Sequence, residues 1–151
     1  MIALEPRPLL LVEDNADDEK LALRALKLSG YKVAPLVARD GAEALHVLEG
    51  LPVSKLPALV LLDLKLPKLS GFEVLERLRK DEKTRDLPVV IMSSSDEQRD
   101  VEDCYRLGAN SYIRKPVDFD GFSETVSQLG TYWLSVNVTP YSRSESKAGI
   151  S

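Results

Sequence analysis

A single cysteine, Cys104, and a single histidine, His46, rule out several kinds of chemistry at once. One thiol cannot close an internal disulfide, which fits a reducing compartment. His46 lies beside Val47 and Leu48 in a helical segment, where a surface or edge-of-core place is a simpler reading than a phosphohistidine or a metal ligand. No run approaches the roughly 18 apolar residues of a membrane span. The opening MIALEPRP lacks the apolar stretch of a secretory signal. Basic charge is also short. Twenty Lys and Arg stand against 24 Asp and Glu, a net charge of −4, and no basic stripe stands out. The electrostatic footprint of a nucleic-acid binder is therefore missing. The expectation is a cytoplasmic protein with neither a membrane nor a nucleic acid as partner.

What is present is a core. Hydrophobic residues make up 44% of the 151, enough for one domain of ordinary size. Short apolar runs alternate with amphipathic segments, the pattern of βα units around a parallel sheet. Residues 8–12 (PLLLV) read as a buried strand that stops at Glu13 and Asp14. A helix over 16–29 follows, with Leu21, Ala25 and Leu28 on one face and Gly30 as its stop. Residues 33–38 form strand two, and Pro35 inside them argues for the sheet edge. Asp40-Gly41 opens a short helix, and strand three, 58–62, ends at Asp63. After the loop KLPKLSG come a helix over 72–80, strand four over 87–92, and a helix over 96–107 with Val101, Cys104 and Tyr105 inward. Strand five, 111–114, is closed by Lys115-Pro116. The last helix starts near Asp118 or Asp120, and Phe122, Val126, Leu129 and Trp133 follow a helical stripe. Past Pro140 the sequence is polar and small, so the expected division is one domain over 8–137 and a disordered tail over 138–151.

In a parallel sheet covered on both faces, ligands bind beyond the carboxyl ends of the strands. The residues there are Glu13 and Asp14 after strand one, Asp63 after strand three, Ser93 after strand four and Lys115 after strand five. Any one of them alone is most simply a strand-terminal polar group. Five on successive strand ends are not. Two unit charges about 4 Å apart repel by roughly 4 kcal/mol at an effective dielectric near 20, so clustered acids need a proton or a cation. Hard oxygen ligands with room for waters suit Mg²⁺, or Mn²⁺ in its place. Lys115 can offer a point charge to a phosphoryl oxygen, and the Ser93 hydroxyl a hydrogen bond.

The stretches LLVEDN (10–15), LVLLDLKLPKLSG (59–71), PVVIMSS (88–94) and YIRKP (112–116) resemble the receiver domains of two-component response regulators. The resemblance covers about residues 8–130. It implies a flavodoxin-like, three-layer (βα)5 fold with strand order 2-1-3-4-5, and a protein phosphorylated by a sensor histidine kinase rather than an enzyme with external turnover. By matching position Asp63 is the phosphoacceptor, Asp14 a direct metal ligand and Glu13 a second acid acting through water. Lys65 offers its backbone carbonyl to the metal, Ser93 and Tyr112 form the switch pair, and Lys115 is the phosphate partner. A cis Lys115–Pro116 bond is also implied. Ser93 stands where Thr is commoner in the family, and Lys65 adds a positive side chain beside the site. Residues 122–140 further resemble the extended last helix of stand-alone regulators that serve phytochrome-type kinases, including bacteriophytochromes.

Three rival readings are weaker. A dehalogenase-like phosphohydrolase needs a second Asp two residues past the nucleophile, where Lys65 stands. A flavin module wants a hydroxyl- and Gly-rich phosphate loop where Glu13-Asp14 would repel phosphate. An inert interaction module would not need the full set of site residues. With no room after residue 130 for an output domain, the signal must leave by protein contact or onward phosphotransfer. A homodimer through helix four, strand five and helix five is expected, with Phe122, Tyr132 and Trp133 at its interface.

Overall fold

The computed structural model of the chain describes residues 7–31 and 33–140. Five strands, β1 (Leu9–Val12), β2 (Leu36–Ala38), β3 (Leu59–Leu62), β4 (Val89–Ser93) and β5 (Ser111–Arg114), alternate with five helices. These are α1 (Ala16–Leu28), α2 (Gly41–Glu49), α3 (Gly71–Lys80), α4 (Gln98–Arg106) and α5 (Phe119–Thr131). The strands form one parallel sheet in the order β2-β1-β3-β4-β5, as the resemblance implied. The chain reverses direction of winding at β1 and β3, which opens a crevice beyond their carboxyl ends.

Two apolar layers sandwich the sheet because β1, β3 and β4 are apolar on both faces. On one side Leu10, Val12, Val60, Leu62 and Ile91 pack against α2 and α3 through Leu45, Leu48, Val74 and Leu78, with Cys104 of α4. On the other, Leu9, Leu11, Leu59, Leu61 and Val90 meet Ala22, Ala25 and Leu26 of α1 and Phe122, Val126 and Leu129 of α5.

Several sequence expectations need correction. Strand two begins only at Leu36: the ladder with β1 starts at the Leu10–Leu36 pair, and the Leu9 N–H that would extend it donates to the Tyr31 hydroxyl instead, at 3.0 Å. Helix α1 buries Ala22, Ala25 and Leu26. Leu21 sits at the margin of that face and Leu28, seven residues on, falls past it and is 73% exposed. Tyr105 is exposed rather than inward, since only its neighbour Cys104 lies on the buried line of α4. The Lys115–Pro116 bond is trans, the isomer that X–Pro favours by about 0.5–1 kcal/mol. Phe122 is withdrawn from any interface because it is buried in the chain's own core. The expected long last helix changes character at Tyr132, continuing to Val136 as a wider π-helical turn closed by Asn137 N–H donating to the Tyr132 carbonyl at 2.7 Å. Thr139 is buried, and residues 141–151 of the expected tail lie outside the described residues.

Candidate functional site

Glu13, Asp63 and Lys115 each sit one step past the end of a strand, Asp14 two steps past β1, and Ser93 is the last residue of β4, where the sheet ladder stops and side chains can turn into the crevice. Glu13 N–H donates to the Ala38 carbonyl and Asp63 N–H to the Val12 carbonyl, which holds both backbones in line with the sheet. Asp63 is also fixed from the far side. A Cβ on Gly71 would stand 2.3 Å from the Asp63 carbonyl oxygen, so the first residue of α3 can approach the acceptor strand only as glycine. Gly71 N–H donates to the Leu64 carbonyl at 2.9 Å, and Ser70 and Glu73 close a capping box that starts α3 there. The loop between them turns at Lys68, whose φ is +68°.

One carboxylate oxygen from each of Glu13, Asp14 and Asp63 lies within 4.8 Å of the others. Glu13 and Asp63 are buried and Asp14 is open to solvent. Lys115 Nζ enters this group, 2.7 Å from Glu13 Oε1 and 2.9 Å from Asp63 Oδ2. A third carboxylate, Asp18 Oδ2 of α1, also lies 2.9 Å from it. Asp63 Oδ1 accepts from the Lys65 N–H at 3.3 Å. Burial pushes the Glu13 carboxyl upward, against the pull of the Lys115 hydrogen bond and charge. Burial alone would lower Lys115, but its hydrogen bonds to Glu13, Asp18 and Asp63 more than reverse that, and its pKa rises. The ammonium stays charged and offsets one of four acids. That leaves an oxygen-lined, electronegative crevice whose donor set suits a hard divalent cation.

The neighbouring strand ends are tied together. Ser93 is fully buried, and its hydroxyl oxygen accepts from the Ser95 N–H at 3.2 Å. Lys115 N–H donates to the Ser93 carbonyl at 2.8 Å. Tyr112 is half-buried against the α2/α3 side of the core and donates its hydroxyl proton to the Ser95 carbonyl at 2.9 Å. Arg114 pairs with Asp96 at 3.2 Å. Strand β5 thus grips residues 95 and 96 of the loop after β4 at two points.

Glu13, Asp14, Asp63 and Lys115 all converge here, and the Lys65 amide touches the same acceptor carboxylate. Tyr132 and Trp133 open the π-helical turn just past α5, edge-to-face with centroids 5.1 Å apart. Trp133 packs partly against the α1/α5 side of the core while Tyr132 is about half exposed. Cys104 is fully buried, its thiol pushed up to about 12 by burial, so it is packing rather than a nucleophile. Asp18 was missed by the sequence reading. In sequence it is one of three acids, Asp17-Asp18-Glu19, at a helix start, where acids are expected on dipole grounds alone.

Fold and crevice together define a doubly wound α/β protein with an acidic, lysine-bearing site at the sheet's topological switch point. The response regulator receiver domain model matches residues 9–127. The chain belongs to that family, whose members are signalling proteins rather than enzymes of external turnover. It is 40% identical over 141 residues to the probable methanogenesis regulatory protein FilR2 of Methanothrix harundinacea, covering 91% of this chain and 90% of that one. It is 33% identical over 138 residues to the response regulator Rcp1 of Synechocystis sp., covering 89% and 94%. The Mn²⁺-bound crystal structure of Rcp1 superimposes with a TM-score of 0.81 over 89% of this chain and 99% of that one, at 32% identity. The bacteriophytochrome response regulator AtBRR is 43% identical over 89% of this chain and 99% of its own, with a TM-score of 0.67. Receivers of this kind work with sensor kinases. Among the described residues no helix is long and apolar enough to cross a membrane.

Proposed function

We propose that the chain accepts a phosphoryl group on Asp63 from a phosphohistidine of a sensor kinase and signals through the surface made by α4, β5 and α5. The observation that carries this is Lys115 Nζ held 2.9 Å from Asp63 Oδ2 beside the Glu13–Asp14 pair. An Asp63 oxygen attacks phosphorus, the P–N bond breaks, and the histidine nitrogen leaves with the electron pair and takes a proton from solvent. Glu13, Asp14, Asp63 and the backbone carbonyl of Lys65 would hold Mg²⁺. Bound there, the cation offsets charge on the phosphoryl oxygens and so lets an anion approach a carboxylate. Lys115 neutralises a further phosphoryl oxygen, and the Ser93 hydroxyl hydrogen-bonds another.

The added charge of about −1.5 to −2 draws Ser93 toward Asp63. Since Ser93 bonds Ser95, and Tyr112 and Arg114 hold residues 95 and 96, a shift of Ser93 is passed to β5 and α4. We read the kinase as a phytochrome type, in line with the names of the bacteriophytochrome relatives. The active unit is a homodimer that uses Tyr132 and the outer edge of Trp133, in a cytoplasmic setting.

Incubation of the chain with acetyl phosphate and Mg²⁺, followed by intact mass measurement, should show one added phosphoryl group. Asp63→Asn should show none, and chelation of the cation should abolish uptake. Labelled Asp63→Asn would move the acceptor elsewhere.

A further inference from the structure

Lys115 has three ammonium protons and three carboxylate neighbours: Glu13 at 2.7 Å, Asp18 at 2.9 Å and Asp63 at 2.9 Å. Two of these belong to the acid cluster that suits a cation, and Asp18 does not. We propose that Asp18 is a positioning residue that keeps the Lys115 ammonium at the site while Glu13 and Asp63 are engaged with metal and phosphoryl group. The proposal deepens the reading of Asp63 as acceptor and rests on it.

Asp18 is spared from the usual duty of its position. It is the third residue of α1, where an acid commonly reaches back to the N-cap N–H. In α3 Glu73, in the same place, does so with Ser70 N–H. At the start of α1 the Asn15 N–H instead donates to Glu13 Oε2 at 3.2 Å. The Asn15 side chain accepts from the Asp17 and Asp18 N–H groups. The helix start is therefore served without the Asp18 carboxylate, which crosses to β5.

The valence of the ammonium supplies the rest. With all three protons spent, Lys115 can reach an incoming phosphoryl oxygen only by releasing a carboxylate. A cation claims oxygens of Glu13 and Asp63, and the phosphoryl group itself occupies an Asp63 oxygen. The Asp18 contact is the one with no rival claim. Lys115 is a four-carbon chain with much rotamer freedom to lose, so an anchor outside the reacting cluster keeps that freedom suppressed throughout the transfer.

Removing Asp18 has two opposing consequences. It frees Lys115 to leave, which slows uptake, and it deletes a negative charge near an arriving anion, which speeds it. The sign of the measured change decides between positioning and mere repulsion. Uptake from acetyl phosphate forms an Asp63 O–P bond as the P–O bond to acetate breaks, and acetate leaves with the electron pair. Followed by intact mass with Mg²⁺ present, Asp18→Ala should be about tenfold slower, the scale of one charge-assisted hydrogen bond. Asp18→Asn should fall between, and Asp18→Glu should recover most of the rate. In a Lys115→Ala background the Asp18→Ala change should bring no further loss and leave only the relief of repulsion, because the residue it positions is gone. Mg²⁺ affinity by calorimetry should fall far less than the uptake rate in Asp18→Asn, because Asp18 is not one of the clustered acids. If Asp18→Ala fails to fold, by circular dichroism and thermal midpoint, Asp18→Asn carries the same test. An equal or faster rate in either variant overturns the proposal, as does a further loss in the Lys115→Ala background. With Asp63→Asn unlabelled in the same series, those outcomes leave the acceptor assignment standing, whereas a labelled Asp63→Asn overturns that assignment instead.

Discussion

Asp63 is held by neighbours that have no chemistry of their own, and Gly71 is the clearest of them. Its Cα faces the Asp63 carbonyl oxygen and the Leu64 Cα, which a methyl group would meet at 2.3 and 2.7 Å. Both obstacles are backbone, so neither can rotate away. Gly71→Ala should cost about 1–3 kcal/mol of stability, the usual scale of overpacking, and should slow phosphoryl uptake because the acceptor must shift. Chemical denaturation and mass-followed uptake, run on the same preparation, check the pair of effects. Loss of stability with an unchanged uptake rate would mean that α3 moves and Asp63 does not.

Whole elements are secured from the opposite edge of the sheet. Arg79, near the end of α3, donates from Nε to the Gly108 carbonyl at 2.9 Å, and from Nη1 to the carbonyls of Leu87, Arg85 and Thr84 at 2.8, 3.1 and 3.3 Å. Its Nη2 donates to Asn110 Oδ1, which also accepts from the Val89 N–H. One guanidinium thereby joins α3 to the entries of β4 and β5. Arg79→Ala should destabilise the fold by about 2–4 kcal/mol, through several carbonyls losing a charged donor at once, and Arg79→Lys should rescue little because an ammonium cannot copy the fork. Mg²⁺ affinity measured by calorimetry should not change, since the clamp lies at the far end of the strands.

None of that clamp is legible in the sequence, where Arg79 stands in a charged run, ERLRKDEK, of the kind that covers a solvated helix face. The strands and the meeting of Glu13, Asp14, Asp63 and Lys115 were legible, because an apolar run that stops at a carboxylate or lysine marks both the strand and its chemical end. The phase of a helix was harder to read. Leu28 and Tyr105 follow the apolar spacing yet face solvent, because periodicity gives the width of a buried stripe but not where the neighbouring layer ends. Asp18 escaped notice for a different reason. Its partner Lys115 lies far along the chain, and a helix start already explains an acid.

Assembly is a property of the molecule as a whole. Beyond the core, Tyr132, Val136 and Val138 are exposed on one terminal segment, at 48%, 61% and 67%. Trp133 is only partly covered by the chain's own core and supports Tyr132 edge-on. Aromatic anchors of this kind concentrate binding energy in oligomer contacts. Light scattering at micromolar concentration should give a dimeric mass, and replacing Tyr132 and Trp133 with alanine should shift it toward monomer. A monomeric mass with and without phosphoryl group on Asp63 ends the dimer proposal, and so does a dimer indifferent to those replacements.

The α1/α5 side of the core has a consequence in time as well as in space. Leu9, Leu11, Ala22, Ala25 and Leu26 come from the first strand and helix, whereas Phe122, Val126 and Leu129, which cover them, come from the last helix. On a ribosome making about 5–20 residues per second, the opening segment waits several seconds for its lid. For the first part of that wait β1 also lacks β3, its central neighbour. The nascent chain thus carries one naked apolar face until α5 has been made. A chaperone has its longest opportunity on this face, and a chain terminated before α5 would aggregate through it.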